Sequence, residues 1–306
     1  MLKRFLLEEK GQSMVLFSLL IVVLIGFTGL AIDGGRLYLA KSQLQKAVDA
    51  GALAGANVIV TNTGFDYSTA ENTAKSISTR NYANSKITYT PKASLDPSDN
   101  VNYLQVNGKE KVSLMLMPVL GISDRNVTAV AKVKIGKIIK VEQGNIIPIG
   151  IHLNQPLEFG ALWKISEAPG SAYKGNFNLL NFASIDPDGN SNGSKSVGYY
   201  IANGSPVPMY IDQKLSTKTG DPINSNPIKT AIDGLKGKIV YVPIVSDFGS
   251  GQSEVTILGF AAFEMIGYDK EKGNNVIQAK FIKELLPGEI GDVKTEYGTY
   301  ASALVM

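Results

Sequence analysis

The sequence predicts an α+β protein held by a membrane-spanning helix near its N-terminal end. That helix runs on into a small α+β module, and a β-rich, sandwich-like region follows. Three features of the sequence lead there. Residues 11–32, GQSMVLFSLLIVVLIGFTGLAI, contain no charged side chain between Lys10 and Asp33. Beyond them apolar residues recur every three or four positions, the spacing of one helix face. From Ile87 the period falls to two, and from Lys137 short apolar runs broken by Gly, Pro and Asn take over, which is the texture of strands and turns.

At about 1.5 Å per residue the uncharged run spans about 33 Å as a helix, enough to cross a hydrocarbon core about 30 Å thick. A secretory signal has a shorter apolar stretch and a small-residue cleavage site ahead of a polar mature start. Here the helical pattern continues through Arg36, Leu37, Tyr38 and Leu39 to about Val60 with no proline, so the segment is expected to stay in the mature chain. The expected organisation is a cytoplasmic tip (1–10), a transmembrane helix (11–32), an α+β module (33–136) and a β-rich extracytoplasmic domain (137–306). Lys3, Arg4 and Lys10 before the run nearly balance Arg36, Lys41 and Lys46 after it, so the positive-inside rule leaves orientation close to a tie. The short basic tip, set against a large body rich in Asn, Gly, Ser and Tyr, favours the N-terminus inside.

Past the span, Leu37, Ala40, Leu44, Ala47, Gly51, Ala54 and Val58 mark one helix face. Gly51 and Gly55, with Ala47 and Ala54, make that face small enough for another backbone to come close. Its partner is either its own domain's sheet, the default, or another subunit. Lys41, Gln45, Lys46 and Asp49 are expected in solvent. Asn62-Thr63-Gly64 ends the helix, and a second helix is expected over 66–82, capped near Ser68 with Glu71 three residues on as a capping box. Alternation predicts strands at 87–90, before Pro91, at 101–106 and at 127–135. Residues 112–120, VSLMLMPVL, fit either a strand or a short helix interrupted at Pro118. Beyond Lys137, strands are expected at 145–153, 157–165, 176–182, 207–211, 238–245, 254–265 and 275–282. Loops are expected at 186–196 and 217–227, and one short helix at 227–234. The tail from Ala301 to Met306 is too short for a second span.

Composition excludes several functions. The net charge is only +3, with no basic block, so nothing marks a nucleic-acid surface. The absence of cysteine excludes disulfides, thiolate metal sites and cysteine nucleophiles. Gly189-Asn-Ser191-Asn-Gly193 has the letters of a nucleophile elbow but neither the leading strand nor the following helix. The single histidine, His152, lies upstream of it on an expected strand and reads as structural. Asp186, Asp188, Asn190 and Asn192 alternate like half a calcium loop, yet Ser191 stands where such loops need Gly and Val197 where they need Glu. Gly170-Ser-Ala-Tyr-Lys-Gly175 is followed by Asn176 and lacks the lysine of a phosphate-cradling loop. No catalytic, cofactor-binding or metal-binding residue is assigned. The thirteen tyrosines suit strands first and docking surfaces second.

One stretch carries a family resemblance. Residues 11–56 contain an apolar span ending in Ala31-Ile-Asp33-Gly-Gly-Arg36-Leu-Tyr38, then Leu44-Gln-Lys-Ala47-Val-Asp49-Ala-Gly-Ala52-Leu-Ala-Gly-Ala56. This resembles the N-terminal anchor of the TadE/TadG-like proteins of the Tad (Flp) pilus-assembly system. The later Ile146-Ile-Pro-Ile-Gly150 and Gly175-Asn-Phe177 are more weakly similar to the longer TadG type. The resemblance implies a non-enzymatic, pilin-like membrane protein of a pilus or secretion apparatus. Its partners would be the cytoplasmic membrane and other Tad-type subunits or further copies of itself, with no cofactor, nucleic acid or small-molecule substrate. Processed pseudopilins of the group carry Glu at the fifth position after the cleavage glycine; counted from Gly11 that position is Leu16, which favours an uncleaved anchor. Asp247-Phe-Gly-Ser-Gly does not fit the metal motif of the von Willebrand A domain found in some relatives. The competing readings are a surface receptor or adhesin that uses the 186–192 loop for an ion or carbohydrate, and a hydrolase acting through Ser191.

Overall fold

The computed structural model describes residues 9–152, 158–166, 176–188, 197–219, 225–249, 251–271, 274–286, 288–291 and 297–305. One unbroken helix, α1 (Glu9–Asn57), joins the apolar run to the body. At about 1.5 Å per residue its 49 residues reach about 74 Å. Helix α2 (Tyr67–Asn81) returns along its second half. Its cap is Asp66, whose carboxylate accepts from the Thr69 amide at 2.9 Å. The expected Ser68–Glu71 box does not form, because Glu71 instead accepts from the Ala93 amide across the module.

Three antiparallel strands follow: β1 (Ile87–Asp96), β2 (Val101–Ser113) and β3 (Asp124–Val141). All are longer than the alternation alone suggested. Strand β1 runs straight through Pro91, which pairs with Val106. An edge strand tolerates the missing N–H, and β1 lies at the edge of its sheet. The ambiguous 112–120 stretch resolves into the end of β2 and a 3₁₀ turn at Met117–Leu120, with Pro118 in its first turn and Gly121 left-handed at φ 79°. Side chains of α1 and α2 pack onto β2 and β3 as a first core built on Leu44, Val48, Leu104, Val106, Val133 and Ile135.

The β-rich remainder comprises β4 (Leu162–Ser166), β5 (Asn176–Leu180), α3 (Val197–Asn203), β6 (Lys214–Thr219), α4 (Asn226–Gly234), β7 (Ile239–Val245), β8 (Glu254–Glu271), β9 (Asn274–Ile282), β10 (Gly288–Ile290) and β11 (Thr299–Val305). The 18-residue β8 is the spine of a second sheet: its start pairs with β6, its middle with β7 and its end with β9. Strand β9 in turn pairs with β4, and β6 with β5. Helices α3 and α4 pack together and bury Ile201, Ile228 and Ile232 in this sheet's core.

The strands expected at 145–153 and 207–211 shrink, among the described residues, to the pairs Ile151–His152 and Met209–Tyr210, and three further elements differ from expectation. Strand β6 begins in residues with no apolar run beyond Leu215 and extends into the expected 217–227 loop. Helix α3 has only seven residues of ordinary helix propensity, and burial of Tyr200 and Ile201 holds it. Strand β11 inserts beside β3, pairing Tyr300 with Lys137 and Val305 with Lys132. The expected division between residues 136 and 137 therefore falls inside β3. Tyr300 belongs to the first core, while Ile138, Val141, Phe260 and Ala301 meet in a third. Strand β11 of the later region thus joins the sheet of the earlier one.

Candidate functional site

The most informative structure lies along α1. Its apolar part is turned outward on nearly every side, with Met14, Leu16, Phe17, Leu20, Ile25 and Phe27 all exposed. It is a helix long and apolar enough to cross a membrane. The buried face begins within the uncharged run at Gly29 and continues at intervals of three or four through Asp33, the half-buried Leu37, Ala40, Leu44, Ala47, Gly51 and Gly55. One helix therefore carries two faces in sequence, first an apolar surface on all sides and then a stripe that builds a core.

The small residues on that stripe are used within the chain. A Cβ at Gly51 would collide with Ser78 Oγ and sit 2.6 Å from the Ala74 carbonyl oxygen of α2. At Gly55 it would lie 2.6 Å from the Ala70 carbonyl oxygen and against Leu104. Ala47 is fully buried, and Ala54 is half-buried. The partner that approaches closely is thus α2 of the same chain, where the sequence left open a sheet or another subunit. On the other side Gly108 of β2 admits Leu44 and Val48, since a Cβ there would lie 2.8 Å from Val48 Cγ1. Lys41 Nζ and Gln45 Nε2 donate to the carbonyls of Thr128 and Val130 at 2.5 and 2.9 Å, fixing α1 along β3.

The junction itself is made by Asp33. This residue is only 2% exposed, and its carboxylate accepts the backbone amides of Met115, Leu116 and Met117 at 2.7, 3.0 and 2.9 Å. Three successive N–H groups converging on one anion form a nest. Just before it, Leu116 lies on Gly29, where a Cβ would stand 3.0 Å from Leu116 Cβ. In the sequence Asp33 is visible only as the first charge after the run; that its partners sit more than eighty residues on has no sequence signal.

The residues weighed for chemistry are dispersed. His152 is buried at the end of a two-residue strand, Ile151–His152, and its Nε2 pairs with the Asp247 carboxylate. Asp186 accepts from the Tyr200 hydroxyl at 2.7 Å and from the Asp188 amide at 3.1 Å, so its two oxygens hold α3 and a turn. Asn190, Ser191, Asn192 and the 170–175 stretch lie outside the described residues. Among the described residues no group of three or more His, Asp or Glu is placed to hold a metal ion.

Residues 11–58 match the family model described as putative Flp pilus-assembly TadE/G-like. No curated protein and no solved structure matches the chain. The matched residues end one position beyond α1, so the similarity coincides with the helix that is apolar in its first half and core-forming in its second. The family match supports a role in pilus assembly, and it makes residues 11–58 similar to the TadE/G-like segment of Flp pilus-assembly proteins.

Proposed function

We propose that the protein is a non-enzymatic, single-pass membrane component of a Tad/Flp-type pilus assembly or secretion apparatus, with its tip in the cytoplasm and its β-rich body outside the membrane. The observation that carries this is the coincidence of the TadE/G-like match with one unbroken helix, apolar and almost wholly exposed over 14–32, tied at Asp33 to the amides of 115–117, and packed into the first core from Leu37 onward. The mechanism is mechanical. Because α1 is both span and core helix, no hinge separates anchor from body, and a force on the body is delivered to the span through backbone hydrogen bonds. The close packing at Ala47, Gly51 and Gly55 supplies that stiffness inside the subunit. Contacts with other pilus subunits, or with further copies, then use other surfaces of the body.

Two measurements test the proposal. The full chain should stay with membranes through carbonate extraction, and protease added outside cells stripped of any outer barrier should remove the body. Deleting the gene should abolish assembled pili, with recovery on complementation. A chain released by carbonate, a body protected from external protease, or normal piliation in the deletion strain would refute it.

A further inference from the structure

Residues 114–120, Leu-Met-Leu-Met-Pro-Val-Leu, form the apolar end of the β2–β3 connection. Met115 is 66% exposed and Val119 87% exposed, a costly arrangement in water for side chains of this size. We propose that this turn is a second membrane contact, which lowers Met115, Leu116 and Val119 into the interfacial layer of the leaflet where α1 meets the body. The proposal rests on the anchor reading given above.

Position is the first argument. Leu116 seats on Gly29, four residues before Asp33 and within the uncharged run. Along the helix axis that is about 6 Å toward the apolar side of Asp33, comparable to the 5–10 Å that interfacial segments bury. A turn docked at that level on a spanning helix meets lipid, because its neighbours on α1, Leu30 and Ile32, are themselves exposed.

Hydrogen bonding is the second. A segment leaving water must satisfy its backbone groups internally. The amides of Met115, Leu116 and Met117 go to Asp33. Those of Leu114, Val119, Gly121 and Ile122 go to the carbonyls of Ser123, Leu116, Pro118 and Met117, and Pro118 has none to satisfy. The turn is prepared for an apolar surrounding in a way that an ordinary solvated loop is not. The third argument is charge: the first cationic side chains beyond the two apolar elements, Arg36 and Arg125, are both exposed, where a lipid phosphate layer would begin.

The chain has no cysteine, so single labels report cleanly. Full-length Leu24→Cys, Met115→Cys, Val119→Cys and Thr63→Cys variants are labelled with an environment-sensitive fluorophore. Each is reconstituted into phosphatidylethanolamine/phosphatidylglycerol vesicles carrying nitroxide lipids at shallow or deep acyl positions. The expected result is deep quenching at 24, shallow quenching with a blue shift at 115 and 119, and neither at 63. Lipid contact at 24 with water-like emission at 115 and 119 would overturn the turn contact while leaving the anchor standing. Water-like emission at 24 as well would overturn both. A blue shift at 115 and 119 without nitroxide quenching would mean that protein covers the turn, and would also overturn the proposal.

Discussion

Gly51→Ala is the sharpest perturbation of the seam between α1 and α2. For an isolated helix the change is favourable by about 1 kcal/mol, since glycine is the weaker helix former. In the fold the new methyl group would lie on Ser78 Oγ and 2.6 Å from the Ala74 carbonyl oxygen, where real Cβ contacts keep to 3.0 Å or more. The carbonyl belongs to the α2 backbone and cannot rotate away, so the helices must separate. Overpacking of this kind costs about 1–3 kcal/mol, and the net expectation is a loss of up to about 2 kcal/mol. At about 2–4 °C per kcal/mol for a body of this size, melting of the full chain in detergent should fall by up to about 8 °C. Ser78 Oγ is buried with no hydrogen-bond partner among the described residues, so Ser78→Ala alone should be neutral or stabilising. It should also recover part of the loss when combined with Gly51→Ala, a non-additivity that a double-mutant cycle reads directly. A Gly51→Ala protein that melts higher than wild type, as a glycine free of contacts would predict, refutes the helix–helix seat.

Other parts of the fold are open to separate tests. Asp33→Ala removes the carboxylate that accepts the amides of 115–117, so those amides should exchange with deuterium faster while the β2–β3 ladder stays protected; unchanged exchange would refute the nest. Tyr300→Ala, at a site 4% exposed in the first core, should cost about 3–5 kcal/mol, and a fragment of residues 33–136 should fail to show a cooperative melt in circular dichroism. Burial pushes the Glu284 carboxyl above its ordinary value of 4.5, so the folded state holds that proton more tightly than the unfolded one. Stability from this group is full at low pH and falls as pH rises through the raised value, so Glu284→Gln should melt higher than wild type at pH 7, with the gap closing below the ordinary carboxylate range. Tyr241 is pushed up to about 12, first by burial and then by the Glu284 charge, and the same substitution should lower its ultraviolet titration midpoint.

Sequence periodicity was enough wherever an element's own residues carry the burial pattern. Helix α1 from Leu37 to Gly51, β2 and β3 follow their apolar spacing, because one face of each is buried along most of its length. It was insufficient where order comes from distant partners. Strand β11 reads as an unremarkable Ala-Ser-Ala tail until β3 lies beside it, and α3 is held by Asp186 gripping Tyr200. The cap of α2 moved from Ser68 to Asp66 because Glu71, needed for the box, is taken by Ala93. At the seam the small residues Gly51 and Gly55 announced a close approach, but spacing has no way to name the surface that approaches.

The insertion of β11 beside β3 also orders the events of folding. Synthesis delivers α1, α2 and β1–β3 first, yet one edge of β3 stays open until the chain has passed through the whole second sheet and reached Tyr300. An unpaired strand edge is a template for adventitious pairing. Early in its life each copy therefore depends on either rapid closure or a holding factor, and mutations that delay the second sheet should first be felt as aggregation of the earlier one.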